Sequence, residues 1–154
     1  MRAEINKYLE YMLVFLMAAM TLDVLWGVFT RYVMGAQASW SEELARFLLI
    51  WIGILGAAYA AGKNMHLAID LYPGSLPPDK RKRLYIVINS LIILFALAVL
   101  VIGGSRLVYV TSTLGQVSAA LQLPLSVVYT VVPLSGLLVI YFKLSDMLGH
   151  MEKT

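Results

Sequence analysis

Four long apolar runs limit what this sequence can fold into. Each run is close to or above the length of about 20 residues that a helix needs to cross the hydrocarbon core of a bilayer. In that core every backbone donor and acceptor must bond within the segment, so the runs are predicted to be helices. The predicted spans cover residues 8–33, 44–62, 84–104 and 124–144, and the third can continue as a helix to residue 113.

The composition also favours lipid as the surrounding medium. Hydrophobic residues make up 60% of the 154 residues and charged residues 14%, whereas soluble domains average roughly 45–50% and about 25%. A chain this short could not bury so much apolar surface in a water-soluble core. We therefore predict an all-α integral membrane protein with four transmembrane helices, in which residues 1–154 form one membrane domain.

The placement of basic residues predicts the orientation of the four spans. Cytoplasmic loops carry an excess of Lys and Arg. Only Arg31, Arg46 and Arg106 fall on one predicted side of the membrane, and the other side has the remaining nine: Arg2, Lys7, Lys63, Lys80, Arg81, Lys82, Arg83, Lys143 and Lys153. Both termini and the middle loop are therefore predicted to be cytoplasmic. The basic stretch 80–83 also suits anionic lipid headgroups on that side.

The sequence excludes several classes of function. It contains no cysteine, so disulfides, thiolate metal sites and cysteine nucleophiles are ruled out. We find no Ser/His/Asp set, no paired carboxylates, no phosphate-binding loop and no metal motif. No basic stripe with interleaved aromatic residues is present, so nucleic acid is not expected as a partner. We predict a protein without catalytic residues, cofactor or metal.

Three polar residues of the first two spans could have a functional role. One is an acid inside the first span, and the other two form a pair at the end of the second. Asp23 falls near the middle of the first span, where a carboxylate costs about 2.5–3.5 kcal/mol on insertion scales. It either orients helix packing or pairs with a group in another subunit. His66 and Asp70 would share a helix face at the cytoplasmic end of the second span. Structural hydrogen bonding is the simpler interpretation of this pair, and a proton relay is the alternative.

The first outer connection contains signals for one helix to end and the next to begin. Gly35 can terminate the first helix. Ser39 and Glu42 have the spacing of a capping box. Glu42 and Arg46 form an i,i+4 pair in the favourable order. Capping therefore explains part of this polar cluster.

Glu42 and Arg46 are nevertheless predicted to contact a partner protein, together with other residues near this connection. Arg31, Trp40 and Glu43 remain after capping is accounted for, and they place charge and an aromatic ring at the membrane surface. In the second span, Trp51 lies close to two small-xxx-small pairs that begin at Gly53 and Gly56. Such pairs allow helices to approach closely. The alternative for these glycines is packing within the chain.

Taken in order, these residues resemble a known family, the small DctQ-type membrane subunit of TRAP transporters. The resemblance covers most of the chain and rests on Arg31-Tyr32, Trp40-Ser41-Glu42-Glu43, Arg46, Trp51, Gly56-Ala57, His66, Asp70, Leu121-Gln122-Leu123-Pro124, Tyr129, Pro133 and Gly136. Lys63 departs from it, standing where an arginine is expected, and Asp23 matches no role in the family.

The resemblance implies a tripartite transporter in a bacterial inner membrane. A substrate-binding protein outside the membrane, of the DctP type, captures an organic acid. A large permease subunit, of the DctM type, carries the acid inward together with sodium. The small subunit then serves as a non-catalytic scaffold for the permease, and its outer loops lie near the docking site of the binding protein.

Two other functions are compatible with parts of the sequence. A small homodimeric exporter that couples drug export to proton flow would use Asp23 as its intramembrane acid. A membrane enzyme or redox subunit would use His66 and His150, the two histidines of the chain, as cofactor ligands.

Overall fold

A computed structural model describes residues 2–36, 38–63 and 78–151, in which every named element is a helix. The elements are α1 (Arg2–Val33), α2 (Ser39–Gly62), α3, α4 (Leu125–Tyr129) and α5 (Val131–Met151). Helix α3 is continuous through three segments: Pro78–Phe95, the π-helical segment Ala96–Gly103, and Gly104–Thr113. Four stretches of these helices are long and apolar enough to cross a membrane: Glu4–Val33, Ser39–Gly62, Arg83–Thr113 and Leu125–Leu148. The predicted all-α fold with four apolar helices is confirmed.

The turn between α1 and α2 differs in one respect from the prediction. Gly35 has a φ angle of 78°, which is the left-handed conformation expected after a helix end. The predicted capping box does not form, because Ala38 occupies the N-cap position and no side chain caps the helix. Ser39 is already the first helical residue. Instead the Thr30 hydroxyl, at the end of α1, accepts a hydrogen bond from the Ala38 N–H at 3.3 Å.

The break between α4 and α5 follows from the predicted effect of Pro133. Proline has no N–H and its ring clashes with the carbonyl of the fourth residue before it, which here is Tyr129. The helix is interrupted at Thr130, whose hydroxyl donates to the Val127 carbonyl oxygen at 2.6 Å. Pro124 precedes α4 as its N-cap residue.

The long helices pack as an open row in the order α1, α2, α5, α3. Helix α2 contacts α1 and α5, and α5 also contacts α3. Among the described residues, α1 and α3 share no extensive contact. The most apolar stretches of α1 and α3 are each only 11% buried, compared with 17% for α2 and 33% for the stretch that contains α5. The two end helices therefore leave most of their apolar surface open.

Helix α5 takes part in both hydrophobic clusters of the described structure. One cluster joins Leu9, Leu55, Val131 and Phe142, from α1, α2 and α5. The other joins Ala58, Ala61, Ala96 and Val139, from α2, α3 and α5. The small side chains of the second cluster let three helices approach closely.

Two glycines mark the closest approach of α3 and α5. A Cβ atom on Gly136 would lie 2.7 Å from Leu100 Cβ, and one on Gly104 would lie 2.8 Å from Val132 Cγ1. Both distances are shorter than van der Waals contact, so only glycine fits without displacing the facing helix. This crossing lies at the π-helical segment of α3 and its end.

Candidate functional site

Glu43, at the start of α2, binds the loop between α3 and α4. Its Oε1 accepts a hydrogen bond from the Ala119 N–H at 3.0 Å, and its Oε2 accepts from the N–H groups of Ala120 and Leu121 at 2.9 and 2.7 Å. Hydrogen bonds to a charged carboxylate are stronger than those between neutral groups. Glu43 thus joins the two connections at this end of the molecule.

The loop that Glu43 holds is compact and ordered by its own hydrogen bonds. It turns at Gly115 and Gln122, which have φ angles of 58° and 54°. The Ser118 N–H donates to the Leu123 carbonyl oxygen at 2.9 Å, and the Leu123 N–H donates to the Ser118 hydroxyl at 3.1 Å. The α1–α2 connection and the α3–α4 loop are therefore joined at one end of the molecule. We call this end, which contains Arg31, Trp40, Glu43 and residues 114–124, the outer surface after its predicted orientation.

Trp51 also makes a contact within the chain. Its indole N–H donates to the Val128 carbonyl oxygen at 3.0 Å, which connects α2 to α4. A partly buried indole N–H requires such an acceptor. The contact accounts for Trp51 without a partner protein, whereas its predicted role at an interface stays a prediction.

Other predicted residues of the outer surface are exposed. Arg31 is exposed and makes no ion pair with any described residue. Tyr32 is 81% exposed and Trp40 41%. Arg46 and Glu42 form the predicted pair at 3.1 Å, but both side chains are about two-thirds exposed at 67% and 64%. An exposed pair of this kind stabilises little.

A cavity of about 240 Å³ lies between α1 and α2, near the turn that connects them. Its lining comprises Val24, Gly27, Val28, Arg31, Tyr32, Ser41 and Ala45. Asp23 is buried beside this region, and the Ser41 hydroxyl donates to its backbone carbonyl oxygen at 3.0 Å. Neither oxygen of the Asp23 carboxyl group has a hydrogen-bond partner among the described residues.

The glycines of α2 make no close helix contact of the kind that Gly104 on α3 and Gly136 on α5 make. A Cβ atom on Gly53 or Gly56 would meet nothing within 4 Å. Packing within the chain, the alternative considered for these two glycines, is therefore not what the described structure shows. Close approach of a helix from another subunit remains the prediction for them.

The opposite end of the molecule contains a polar cluster that the sequence analysis missed. The Lys143 ammonium lies 3.8 Å from the Asp146 carboxylate, and the two side chains are only 2% and 3% exposed. Both belong to α5, where the sequence analysis used Lys143 only to assign orientation. The i,i+3 spacing of the two charges was the signal available in the sequence.

Helices α1 and α2 also meet through polar groups at this end. The Asn6 side-chain amide donates to the Gly62 carbonyl oxygen at 3.3 Å. The Tyr59 hydroxyl donates to the Glu10 carboxylate at 3.1 Å, and the Lys63 ammonium lies 3.9 Å from it. The predicted pair His66 and Asp70 follows directly in the sequence but lies outside the described residues.

The arrangement offers binding surfaces rather than a reaction centre. In the described part of the chain, no three His, Asp or Glu side chains are grouped so that they could hold a metal ion. The outer surface combines an exposed arginine with exposed aromatic rings, and the end helices α1 and α3 present open apolar faces.

Comparison with known proteins identifies what the chain is similar to. Residues 20–153 match the family described as tripartite ATP-independent periplasmic transporters, DctQ component. A protein assigned as a TRAP transporter small permease in Haemophilus influenzae is 29% identical over 88% of this chain and 82% of the relative. The sialic acid TRAP transporter small permease protein SiaQ of Vibrio cholerae is 31% identical over 67% of this chain and 60% of the relative.

A third relative is much longer than this chain. The isethionate TRAP transporter permease protein DctMQ of Oleidesulfovibrio alaskensis is 32% identical over 76% of this chain. The match covers only 18% of that relative, so the similar segment is one part of a larger permease.

Proposed function

The chain belongs to the DctQ component family of tripartite ATP-independent periplasmic transporters, and we propose that it is a non-catalytic scaffold for the large permease subunit. It is a multi-pass protein of the bacterial inner membrane, and its family implies a large permease as partner. The finer assignments below concern how it serves the transporter.

The open row of helices is the observation that carries the scaffold role. Helices α1 and α3 bury only 11% of their most apolar stretches within the chain. Helix α1 exposes large side chains along its length, among them Tyr8, Phe15 and Leu22. A row with two open ends is suited to extend the wall of a neighbouring membrane protein.

The long relative supports this placement. In the Oleidesulfovibrio alaskensis permease, a segment similar to this chain is part of the same polypeptide as the rest of the permease. Covalent connection keeps the segment beside the permease helices. We infer that the separate subunit occupies a similar position.

We propose that the transporter imports an organic acid and is driven by sodium, as the family resemblance implies. Two relatives are named for sialic acid and isethionate, both of which are organic anions. The buried polar side chains Asp23, Asn89 and Lys143 lie on three different helices of this chain. The substrate and sodium sites are therefore assigned to the large subunit.

We further propose that both termini are cytoplasmic and that the outer surface lies near the docking site of the substrate-binding protein. The distribution of basic residues supports this orientation. The hydrogen bonds of Glu43 hold the α3–α4 loop next to the start of α2, which supports a single outer surface. The exposed Arg31 supplies a positive charge for an ion pair with a carboxylate on the binding protein.

The alternative functions receive less support. The proton-coupled exporter and the redox subunit each rest on one or two residues, whereas the family match extends over residues 20–153. No observation on the described residues favours either of them.

Uptake by cells tests the proposed role. Deleting the gene for this chain should abolish uptake of the organic acid, and the wild-type chain should restore it. Arg31→Glu should restore less than half of the wild-type rate, because charge reversal disturbs the docking of the binding protein. Arg106→Glu is the matched control, since Arg106 is an exposed cation on the same predicted side of the membrane but on α3, at the other end of the helix row from Arg31.

The comparison of the two variants shows whether Arg31 takes part in docking of the binding protein. Equal uptake with Arg31→Glu and Arg106→Glu, at equal expression, would remove Arg31 from the docking site. Normal uptake in the deletion strain would show that this chain is not part of the transporter.

A further inference from the structure

The α3–α4 loop has a property that the scaffold role leaves unexplained. The side chains of Leu114, Val117 and Leu123 are 65%, 51% and 44% exposed. The backbones of Val117 and Pro124 form an isolated antiparallel bridge, so Val117 and Leu123 lie close together. The sequence contains no charged residue from 107 to 142, a stretch that includes the whole loop. The loop therefore presents an uncharged, apolar surface, which is a mark of contact with another molecule.

Hydrogen bonds within the chain hold this loop in one shape. The backbone N–H groups of Ser118 and Leu123 are bonded inside the loop, and those of residues 119–121 are bonded to Glu43 at 2.7–3.0 Å. At a membrane surface water can bond such groups, and fluid lipid adapts to any loop shape. A fixed shape is useful for binding a protein, because less conformational entropy is lost on association. The ordered loop therefore favours a protein over lipid as its partner.

The surroundings of the loop indicate from which side that protein comes. Glu43 holds the loop beside the start of α2, where Glu42 and Arg46 are exposed, and Arg31 is exposed at the end of α1. An apolar centre with a charged rim is typical of contacts between proteins that meet in water. Charged side chains in a contact within the bilayer would be costly. The partner that fits is therefore a water-soluble protein rather than a membrane helix.

We propose that the α3–α4 loop is the apolar centre of the surface on which the substrate-binding protein docks, and that Glu43 is the positioning residue that holds this loop in its docking shape. The inference rests on the proposed function, since it takes the binding protein as the partner of the outer surface. In this role Glu43 acts through the backbone of residues 119–121 rather than by contacting the binding protein itself.

Photo-cross-linking in intact cells tests which molecule contacts the loop. A photoreactive amino acid at Leu123 should form a cross-link to the DctP-type binding protein of the transporter. The matched control is the same amino acid at Leu148, a 62% exposed leucine at the opposite end of α5, which should form no such cross-link. Adducts of position 123 with the permease alone, or with lipid alone, would overturn the proposal.

Positioning by Glu43 is tested by the same cross-link at controlled concentrations of the binding protein. Spheroplasts that contain the complex of this chain and the permease are titrated with purified binding protein, and the yield at position 123 is recorded. Glu43→Gln should raise the concentration for half-maximal yield about tenfold and leave the maximal yield unchanged, because a loosened loop must become ordered on docking. Glu10→Gln is the matched control, since Glu10 accepts a hydrogen bond from Tyr59 inside the chain, and it should behave as the wild type.

The form of the titration curve separates positioning from folding. A lowered maximal yield at an unchanged half-maximal concentration would overturn the proposal, since Glu43 would then only keep the subunit folded. An unchanged curve for Glu43→Gln would overturn it as well.

A second variant leaves the hydrogen bonds of Glu43 in place. Leu123→Glu puts a charge into the proposed apolar centre, whereas Glu43 accepts its bonds from the backbone of residues 119–121. With the photoreactive amino acid at Trp40, the half-maximal concentration should rise about tenfold. The Tm of the isolated subunit should stay at the wild-type value, because the Leu123 side chain is exposed. Docking as tight as that of the wild type would overturn the proposal.

The photoreactive amino acid at Trp40 of the otherwise wild-type chain separates this proposal from the proposed function. If position 40 cross-links to the binding protein and position 123 does not, the outer surface remains the docking site and only the role of the loop fails. If neither position cross-links in cells whose uptake depends on the chain, the proposed docking function fails as well.

Discussion

Two regions of the molecule contain the same kinds of residue but use them differently. The first, which we call the junction, comprises the contacts of α4, α5 and the α3–α4 loop with their neighbours and contains Glu43, Trp51 and Gly136. The second, which we call the α1–α2 surface, contains Asp23, Trp40 and Gly53. At the junction the acid has three donors, the indole has an acceptor and the glycine touches a facing helix.

On the α1–α2 surface the corresponding groups lack partners among the described residues of this chain. The acid has no donor, the second tryptophan is 41% exposed, and the glycine faces open space. Because buried polar groups in native proteins are nearly always paired, the difference indicates that the junction stabilises the subunit itself. The α1–α2 surface is suited to a contact made only in the complex.

The glycines should show the largest difference. Gly136→Val forces a side chain into a space where even a Cβ atom would lie 2.7 Å from Leu100, and overpacking of this kind costs about 1–3 kcal/mol. Thermal unfolding of the purified subunit in detergent should show a clearly lowered Tm. Gly53→Val should leave the Tm unchanged, because nothing lies within 4 Å of its Cβ position.

Binding of the permease should be affected by Gly53→Val, although the Tm of the isolated subunit is not. If a permease helix approaches this position closely, Gly53→Val should reduce retention of the permease by the tagged subunit. A lowered Tm for both glycine variants would erase the distinction between the two regions.

Substitution of the two acids, Glu43 and Asp23, should differ in its effect on the isolated subunit, but by less than substitution of the two glycines. Glu43→Gln weakens three hydrogen bonds to the loop, so the isolated subunit should lose stability and the amides of residues 119–121 should exchange hydrogen faster. Asp23→Asn should change neither property in the isolated subunit. Hydrogen exchange followed by mass spectrometry measures both variants, and unchanged protection of 119–121 in Glu43→Gln would contradict the assignment.

The tryptophans should show the smallest difference. Trp51→Phe removes the hydrogen bond to the Val128 carbonyl oxygen, and such a loss costs about 0.5–1.5 kcal/mol. Trp40→Phe should change the stability of the isolated subunit by less than about 0.5 kcal/mol, as is usual at exposed positions. Chemical denaturation in detergent compares the two, and equal effects would show that the Trp51 contact adds nothing.

The sequence was sufficient for the features that depend on local chemistry. The length and hydropathy of the four runs predicted the helices, Gly35 predicted the end of α1, and Pro133 predicted the interruption before α5. Each of these follows from residues close together in the chain. The capping box at Ser39 was also a local prediction, and it was wrong because the Thr30 hydroxyl binds the chain before α2 begins.

Features that depend on distant residues could not be predicted. Glu43 was grouped with Arg31 as a contact residue because its donors lie 76–78 residues further along the chain. Of the tight glycines, Gly104 was not singled out and Gly136 entered only through the family resemblance, whereas the open glycine pairs of α2 were predicted to be contacts. Small-residue spacing alone does not show which helix, or which subunit, lies opposite.

The central claim is that this subunit is completed by the large permease. Native mass spectrometry of the tagged chain, purified from its own membranes in mild detergent, tests it most directly. The account predicts a complex in which this chain of 17.1 kDa is bound to one much larger membrane protein in equal number. A homodimer or a lone monomer, obtained from cells whose uptake depends on the chain, would contradict it.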